Sequence, residues 1–442
     1  MTNYFRAMNY LHGLMKRAYW DEEKMVDYQT RKLRAILKYS YDMVPFYHKK
    51  FKEMGVKPED VKTTKDLDKL PITRKDEIRG NSDQVVSREF SLSGLKSLDT
   101  SGSTGQPLRI YITGAEDEYR KAKFLRANIS CGQKPMDKWV TITRTFEKAG
   151  MLQRLLGLYV YTPVSVFEDV GTQISLIEKL KPDVLGGYSN SLLLLAKEIE
   201  SRGLDTIKPR LILGGAELIV DSSRRFIEKV FDAPFYDQYA CIELERMAWQ
   251  CTEKAGYHID ADSIIMQFVD ENGEEVANGE SGEIVCTSLS NYAMPFIRYA
   301  VDDIGVATKE TDCPCGRKLP QMKVVEGRKD SLLTLPDGRV LAPFALIAAV
   351  ISFKFYSQID RFRVTQRKVN LLSFSIKMRN RSFYQRAIEK EFLAHLEKTL
   401  GFESSGVMVE VEFVDDSPLD KSGKFEIVVS ELNPKREPEG EI

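Results

Sequence analysis

From about residue 95 to residue 300, short apolar runs alternate with amphipathic stretches, and no other feature of the chain narrows its fold so far. "WVTIT" at 139–143 has the length and β-branched content of a strand, and "GTQISLIEKLKPD" has the spacing of a helix. "VLGGYSN" reads as a strand and turn, and "SLLLLAKEIESRG" as a helix with Gly203 as its C-cap. "RLILGGAEL" reads as a strand entering a turn, and "VDSSRRFIEKVF" as a further helix. Such alternation belongs to an α/β sheet covered on its faces. Loops after the strands of such a sheet are where ligands usually sit.

On either side the text changes. Residues 1–90 are mostly helical. Leu33, Ile36, Leu37 and Tyr41 recur at helical spacing, Gly55 stops a short helix, and Thr64 is expected to cap another that Pro71 ends. Residues 264–287 are β-rich, with a hairpin turn expected at Asn272-Gly273. Past "GRKD" at 327–330, two antiparallel strands ("RFRVTQRKVNLLSFSIKMR"), a helix ("FYQRAIEKEFLAHLEKTLG") and a strand ("VMVEVEFVDD") outline a small α+β unit. The expected organisation is a large domain over 1–329, with a helical opening over 1–90, and a small domain over 330–442.

Composition narrows the role. The chain has 442 residues, 43% hydrophobic and 29% charged, ordinary for a globular protein with a large core. A formal net charge of -1 gives no basic field for nucleic acid or an anionic membrane. The N-terminus shows no uninterrupted apolar run of a secretory leader. "RVLAPFALIAAVISFKF" is broken by proline and falls short of the roughly 20 residues of a membrane span, so it reads as a buried helix. The 6 cysteines do not make a disulfide framework in a chain this long. The reading is a cytoplasmic protein with small-molecule partners and neither nucleic acid nor membrane; a homodimer stays open.

"LDTSGSTGQPLRIYIT" at 98–113 concentrates hydroxyls and glycines before a β-like run. Gly102 and Gly105 allow close backbone approach, and hydroxyls with free N–H groups suit phosphate oxygens. No lysine follows the second glycine, so this is not the GxxxxGK[ST] loop. On composition alone it serves equally well as a polar linker.

The loop is followed, in order, by "GGAEL" at 214–218, "YACIE" at 239–243, "RYAVDD" at 298–303, "GRKD" at 327–330 and "SGK" at 422–424. This ordered set, spanning nearly the whole chain, resembles the adenylate-forming (AMP-binding) superfamily. Within it, the chain is most similar to the phenylacetate–CoA ligase branch, which includes relatives associated with capsule biosynthesis. The resemblance implies an α/β fold: a large multi-subdomain N-terminal adenylate-forming domain and a small mobile α+β C-terminal domain. It implies ATP, Mg²⁺ and CoA as cofactors.

Under that resemblance each motif has a role. Ser101, Gly102, Ser103, Thr104 and Gly105 would hold the β and γ phosphates. Glu243 would help bind Mg²⁺, a hard ion that prefers oxygen ligands. Asp303 would accept hydrogen bonds from the ribose hydroxyls, with Arg328 also contacting the ribose. Gly214, Gly215, Ala216 and Glu217 would wall the adenine, with Tyr239 stacking near it. Lys424 would reach the α-phosphate and carboxylate, and Asp330 would be the hinge of the small domain. Taken singly, these residues have ordinary readings: Glu243 as an exposed helix start, Asp302 and Asp303 as a turn, Lys424 as a solvent-facing loop lysine.

Two positions depart from the family's pattern. Ile242 stands where a hydroxyl is usual, with Ala240 in place of a glycine, and Gln106 stands where a lysine is usual. Cys251, His258, Cys313 and Cys315 could close a tetrahedral structural zinc site, as in members of the branch with a similar CxCG stretch. Cys131, Cys241 and Cys286 read as core or pocket-wall thiols.

The expected function is ATP-dependent activation of a carboxylic acid as acyl-AMP, with pyrophosphate release and transfer to CoA. The resemblance points to an aromatic or arylacetic acid such as phenylacetate. Trp139, Phe146, Tyr159, Tyr161 and Tyr236 are candidates for the acid pocket, though such residues are more often core. Two alternatives remain: adenylylation of a deazaflavin-type coenzyme hydroxyl without CoA, and a non-catalytic nucleotide-binding relative.

Overall fold

The computed structural model describes residues 3–100, 107–144, 150–308, 312–380, 386–402, 405–415 and 425–432. Positions 101–106, Phe146 and Lys424 therefore lie outside the described residues.

The opening is helical, with helices Tyr4–Arg17, Glu22–Met43, Pro45–Glu53 and Lys75–Gly80. Asn3 and Asp21 cap the first two by accepting from backbone N–H groups with their side chains. The second helix buries Leu33, Ile36 and Leu37, the stripe expected from their spacing. The cap expected at Thr64 is one residue earlier. Thr63 caps a 3₁₀ turn, Thr64–Lys69, because the Asp66 carboxylate accepts from the Thr63 N–H at 2.8 Å.

Strands β1 (Lys96–Asp99) and β2 (Arg109–Ile112) form an antiparallel hairpin that flanks the hydroxyl-rich loop. The main sheet follows: β3 (Trp139–Thr143), β4 (Tyr161–Ser165), β5 (Val184–Tyr188), β6 (Leu211–Gly215), β7 (Phe235–Cys241), β8 (Glu245–Gln250), β9 (Tyr257–Ile259), β10 (Ile264–Val269), β11 (Ser281–Ser288), β12 (Tyr299–Thr308) and β13 (Gln321–Arg328). These are ordered β10-β11-β12-β13-β9-β8-β7-β6-β5-β3-β4. The half from β4 to β7 is parallel, and from β7 onward every pairing is antiparallel. The two halves meet at β7.

Period-2 alternation in the parallel half buries both faces. Ile142, Leu185, Ile212 and Phe235 pack with helices Val170–Leu180, Ser189–Ser201 and Asp221–Phe231. The alternate residues Trp139, Val184, Leu211, Leu213 and Tyr236 pack against Phe124 of helix Gly114–Ser130. Trp139 and Tyr236, candidates for the acid pocket, are thus core residues: Trp139 stacks on Phe124 at 5.8 Å.

Beyond Arg328 come a short hairpin, β14 (Leu333–Thr334) and β15 (Val340–Leu341), and helix Pro343–Ile351. Strands β16 (Ile359–Lys368), β17 (Leu371–Met378), β18 (Met408–Phe413) and β19 (Val428–Ser430) form a second sheet ordered β18-β17-β16-β19, accompanied by helix Arg386–Leu400. Leu346, Val350, Val364, Phe374, Phe392 and Leu396 belong to a separate core, which Val220 joins from the larger sheet's side. Among the described residues, no helix is long and apolar enough to cross a membrane.

Candidate functional site

A cavity of about 530 Å³ lies at the carboxyl ends of β6 and β7, where the sheet changes from parallel to antiparallel. Strands β12 and β13 supply one flank, helix Lys75–Gly80 another, and residues 425–428 close it from the second sheet.

Ala216 and Glu217 line the cavity, but Gly214 and Gly215, at the end of β6, do not; packing within the sheet is what requires glycine at those two positions. A Cβ on Gly214 would lie 2.0 Å from Phe235 Cζ, and one on Gly215 would lie 2.6 Å from the Gln238 carbonyl oxygen. The chain then turns at Ala216, whose φ is +65°. Glu217 follows and lines the cavity. Its two carboxylate oxygens accept from backbone N–H groups of Asn190 at 2.9 Å and Phe425 at 3.0 Å.

The β12–β13 register places Asp303 opposite Arg328. The Tyr239 hydroxyl, on β7, donates to Asp303 Oδ2 at 2.7 Å, and Arg328 Nε lies 3.9 Å from Asp303 Oδ1. Burial raises the Asp303 pKa above the usual carboxylate value, with Asp302 and Asp330 adding to the effect and Arg328 and Tyr239 opposing it. Tyr239 is also pushed up, by burial and then by Asp303, so it stays a protonated donor.

Glu243 is no exposed helix start. It is 4% exposed, in the turn between β7 and β8. Lys75 Nζ lies 3.0 Å from Glu243 Oε1, and the Tyr299 hydroxyl donates to the same oxygen at 2.9 Å. Burial opposes charge on this carboxyl, but Lys75 and the hydrogen bonds outweigh it and hold the pKa below the usual value. Lys75 reaches the site because Thr73 pairs with β12: its N–H donates to the Arg298 carbonyl at 2.8 Å, and its carbonyl accepts from Ala300 at 3.0 Å. From helix Gly114–Ser130, Arg120 donates to the Ile242 carbonyl at 2.7 Å and Lys123 to that of Leu244 at 3.0 Å, fixing the turn. Ile242 is 42% exposed and faces the cavity.

Sequence reasoning missed three lining residues. Lys75 and Arg79 share a face of their helix and bring positive charge to the cavity. Asp237 was hidden inside a strand. It accepts from the Tyr257 hydroxyl at 2.6 Å through Oδ2, while its buried Oδ1 has no hydrogen-bond partner among the described residues. The signal for Asp237 was its position two residues before Tyr239, which puts both side chains on one face of β7.

The hydroxyl-rich stretch 101–106 is outside the described residues, but its flanks are paired. Thr100 lines the cavity, and its N–H donates to the Leu108 carbonyl at 2.9 Å. Phe425, the neighbour of Lys424, also lines the cavity, as does Asp330 in the 3₁₀ turn after β13.

Cys251, His258, Cys313 and Cys315 converge away from this cavity. Their four ligand atoms lie within 4.8 Å of one another. Cys251 Sγ is 3.5 Å from Cys313 Sγ, and Cys315 Sγ is 3.4 Å from His258 Nε2. Metal–sulfur bonds of about 2.3 Å in a tetrahedral set fit such spacings. Cys131 and Cys286 are buried thiols, and Cys241 lines the cavity.

No family model matches the chain. It is 29% identical over 345 residues to a phenylacetate–coenzyme A ligase of Pseudomonas putida, covering 75% of this chain and 76% of that one. It is 22% identical over 339 residues to protein CapK of Staphylococcus aureus, covering 74% and 73%. A 2-hydroxyisobutyryl-CoA ligase in the postadenylation state, complexed with 2-HIB-AMP, superposes with a TM-score of 0.79 at 20% identity, over 94% of this chain and 91% of that one. The same ligase with 2-HIB-AMP and CoA in the thioesterification state gives 0.64 at 20% identity, over 94% and 92%. The chain is a homologue of the phenylacetate–coenzyme A ligases and shares the fold of the 2-hydroxyisobutyryl-CoA ligase.

Proposed function

We propose that this AMP-forming ligase uses ATP to activate an aromatic or arylacetic acid, phenylacetate being the first to test. A carboxylate oxygen attacks the α-phosphorus, the bond to the leaving pyrophosphate breaks, and acyl-AMP remains. The CoA thiol, losing its proton, then attacks the acyl carbon, and AMP leaves. The observation that carries this reading is the convergence of Tyr239, Asp303, Arg328 and Glu243 on one cavity between the two sheets.

Asp303, held by Tyr239, accepts from the ribose hydroxyls, and Arg328 lies beside it. Asp237 Oδ1, which has no hydrogen-bond partner among the described residues, is a buried acceptor available to the exocyclic amine of adenine. Mg²⁺, held by Glu243, would offset polyphosphate charge when bound. Lys75 and Arg79 supply positive charge that Gln106 does not, and their role is to stabilise the departing pyrophosphate. Positions 101–105 hold the β and γ phosphates, and Lys424 acts on the α-phosphate and carboxylate. Residues 330–442 move as a unit about Asp330 between the two steps. Cys251, His258, Cys313 and Cys315 hold a structural Zn²⁺; four protein ligands leave no open position for catalysis.

The test is pyrophosphate release over a panel of carboxylic acids, with and without CoA, in the native protein and in Asp303→Asn. Acid-dependent release that collapses in the variant supports the reading. A flavin-like hydroxyl acceptor that drives release where no acid does would replace it.

A further inference from the structure

Lys197 is a lysine with no place in the chemistry above, yet it is buried at the seam between the two sheets. It sits on helix Ser189–Ser201, which covers the main sheet. Its ammonium donates to two backbone carbonyls at the start of β16, those of Ile359 and Asp360, each at 2.8 Å. The Tyr356 ring lies 4.7 Å away, completing its surroundings from the same side. A charged group taken out of water is costly unless fully paired, so a lysine in this place is there for those carbonyls.

A second cavity of about 40 Å³ lies along the seam, lined by Lys197, Leu193, Tyr356 and Phe362 among others. It shares Asn190, Ile347 and Phe425 with the main cavity. At that shared end, Glu217 joins Asn190 to Phe425 through their backbone N–H groups. Lys197 and Glu217 thus hold the two ends of one seam, and the segment between them forms a wall of the main cavity.

We infer that Lys197 is a positioning residue for acid activation: it clasps β16 to helix Ser189–Ser201 and so fixes the second sheet as the outer wall of the cavity. The inference rests on the ligase reading above. The arrangement clasped here is nearer to the postadenylation structure than to the thioesterification structure of the related ligase. Losing Lys197 removes two hydrogen bonds and one ring contact at one end of the seam, while Val220 stays packed in the second core and Glu217 still joins the other end. The clasp therefore acts on the first half-reaction and not on the second.

The experiment compares Lys197→Met with the native full-length protein in the two half-reactions. Acid-dependent pyrophosphate release is expected to fall about tenfold or more, since small misplacement of a reacting group is that costly. Thioester formation from supplied acyl-adenylate and CoA is expected to hold or rise. An equal fall in both steps, or no fall in the first, overturns the clasp. A distance measurement keeps the test independent of activity, with probes at the exposed residues Leu176 and Val369 on the two sides. The native protein should give a narrow distribution and Lys197→Met a broad one. Identical distributions overturn the clasp. A native protein that releases no pyrophosphate with any acid, yet shows the broadening, overturns the ligase reading alone.

Discussion

Lys75 Nζ sits 3.0 Å from Glu243 Oε1, joining the helical opening of the chain to the turn after β7. The opening is therefore part of the site. Lys75→Met should lower the rate of pyrophosphate release by about 10²-fold, the scale for losing one charge-stabilising contact. It should also move the acidic limb of the pH–rate profile upward. The Glu243 pKa is held below the usual value, so its charge persists as pH falls until that lowered value is reached. Without Lys75 the pKa rises and the charge is lost at a higher pH. Steady-state rates in both proteins from about pH 2.5 to 6.5, a window that spans the ordinary glutamate value of about 4.3 on both sides, check this.

Asp303 and Tyr239 form one unit through a 2.7 Å hydrogen bond. Asp303→Asn should weaken ATP binding by about 2 kcal/mol, since hydrogen bonds to a charged acceptor are worth about 1.5–3 kcal/mol. Tyr239→Phe should cost less, about 1 kcal/mol, because it removes one neutral hydrogen-bond donor and leaves the Asp303 side chain in place. Calorimetric titration with ATP distinguishes the two.

The cluster of three cysteines and His258 should bind one Zn²⁺ per chain, read by elemental analysis. Stripping it with a strong chelator should lower the melting temperature by several degrees, about 4 °C or less per kcal/mol in a large protein. The cluster joins the β8–β9 turn to the loop before β13, so Cys313→Ser should give the same loss. Added zinc should restore the stripped native protein and not the variant.

Lys197 gives the pH dependence of the seam. Burial lowers its pKa to about 7, aided by Arg379 and Arg361 and opposed by Asp360. The unfolded chain holds that proton up to the ordinary lysine value of about 10.4. Between those values the unfolded state binds more protons, so folded stability should rise with pH across that window. Melting temperatures from pH 7 to 10 should show the rise in the native protein and a smaller one in Lys197→Met, over roughly that lysine window.

The architecture was readable wherever a local pattern set it. The period-2 strands β3, β5 and β6, their helices and the stripe of Leu33, Ile36 and Leu37 are all where spacing placed them. The thiols and histidine were readable as a set because few residue types bind zinc. Lys75 and Asp237 were not, because their significance arises from long-range pairing: Lys75 arrives through the Thr73 pairing with β12, and Asp237 shows only through a buried Oδ1 that has no hydrogen-bond partner among the described residues. Two of the aromatic candidates, Trp139 and Tyr236, are core for a related reason. Large rings in strands of a covered sheet are buried by the helices, as Trp139 is by Phe124.

The central claim is that the cavity between the sheets activates a carboxylic acid with ATP. The most direct measurement is exchange of labelled pyrophosphate into ATP with phenylacetate present and CoA absent. The account predicts exchange that requires the acid and is lost in Asp303→Asn. Exchange that proceeds equally without any acid, or none with any acid while ATP binds, would contradict it.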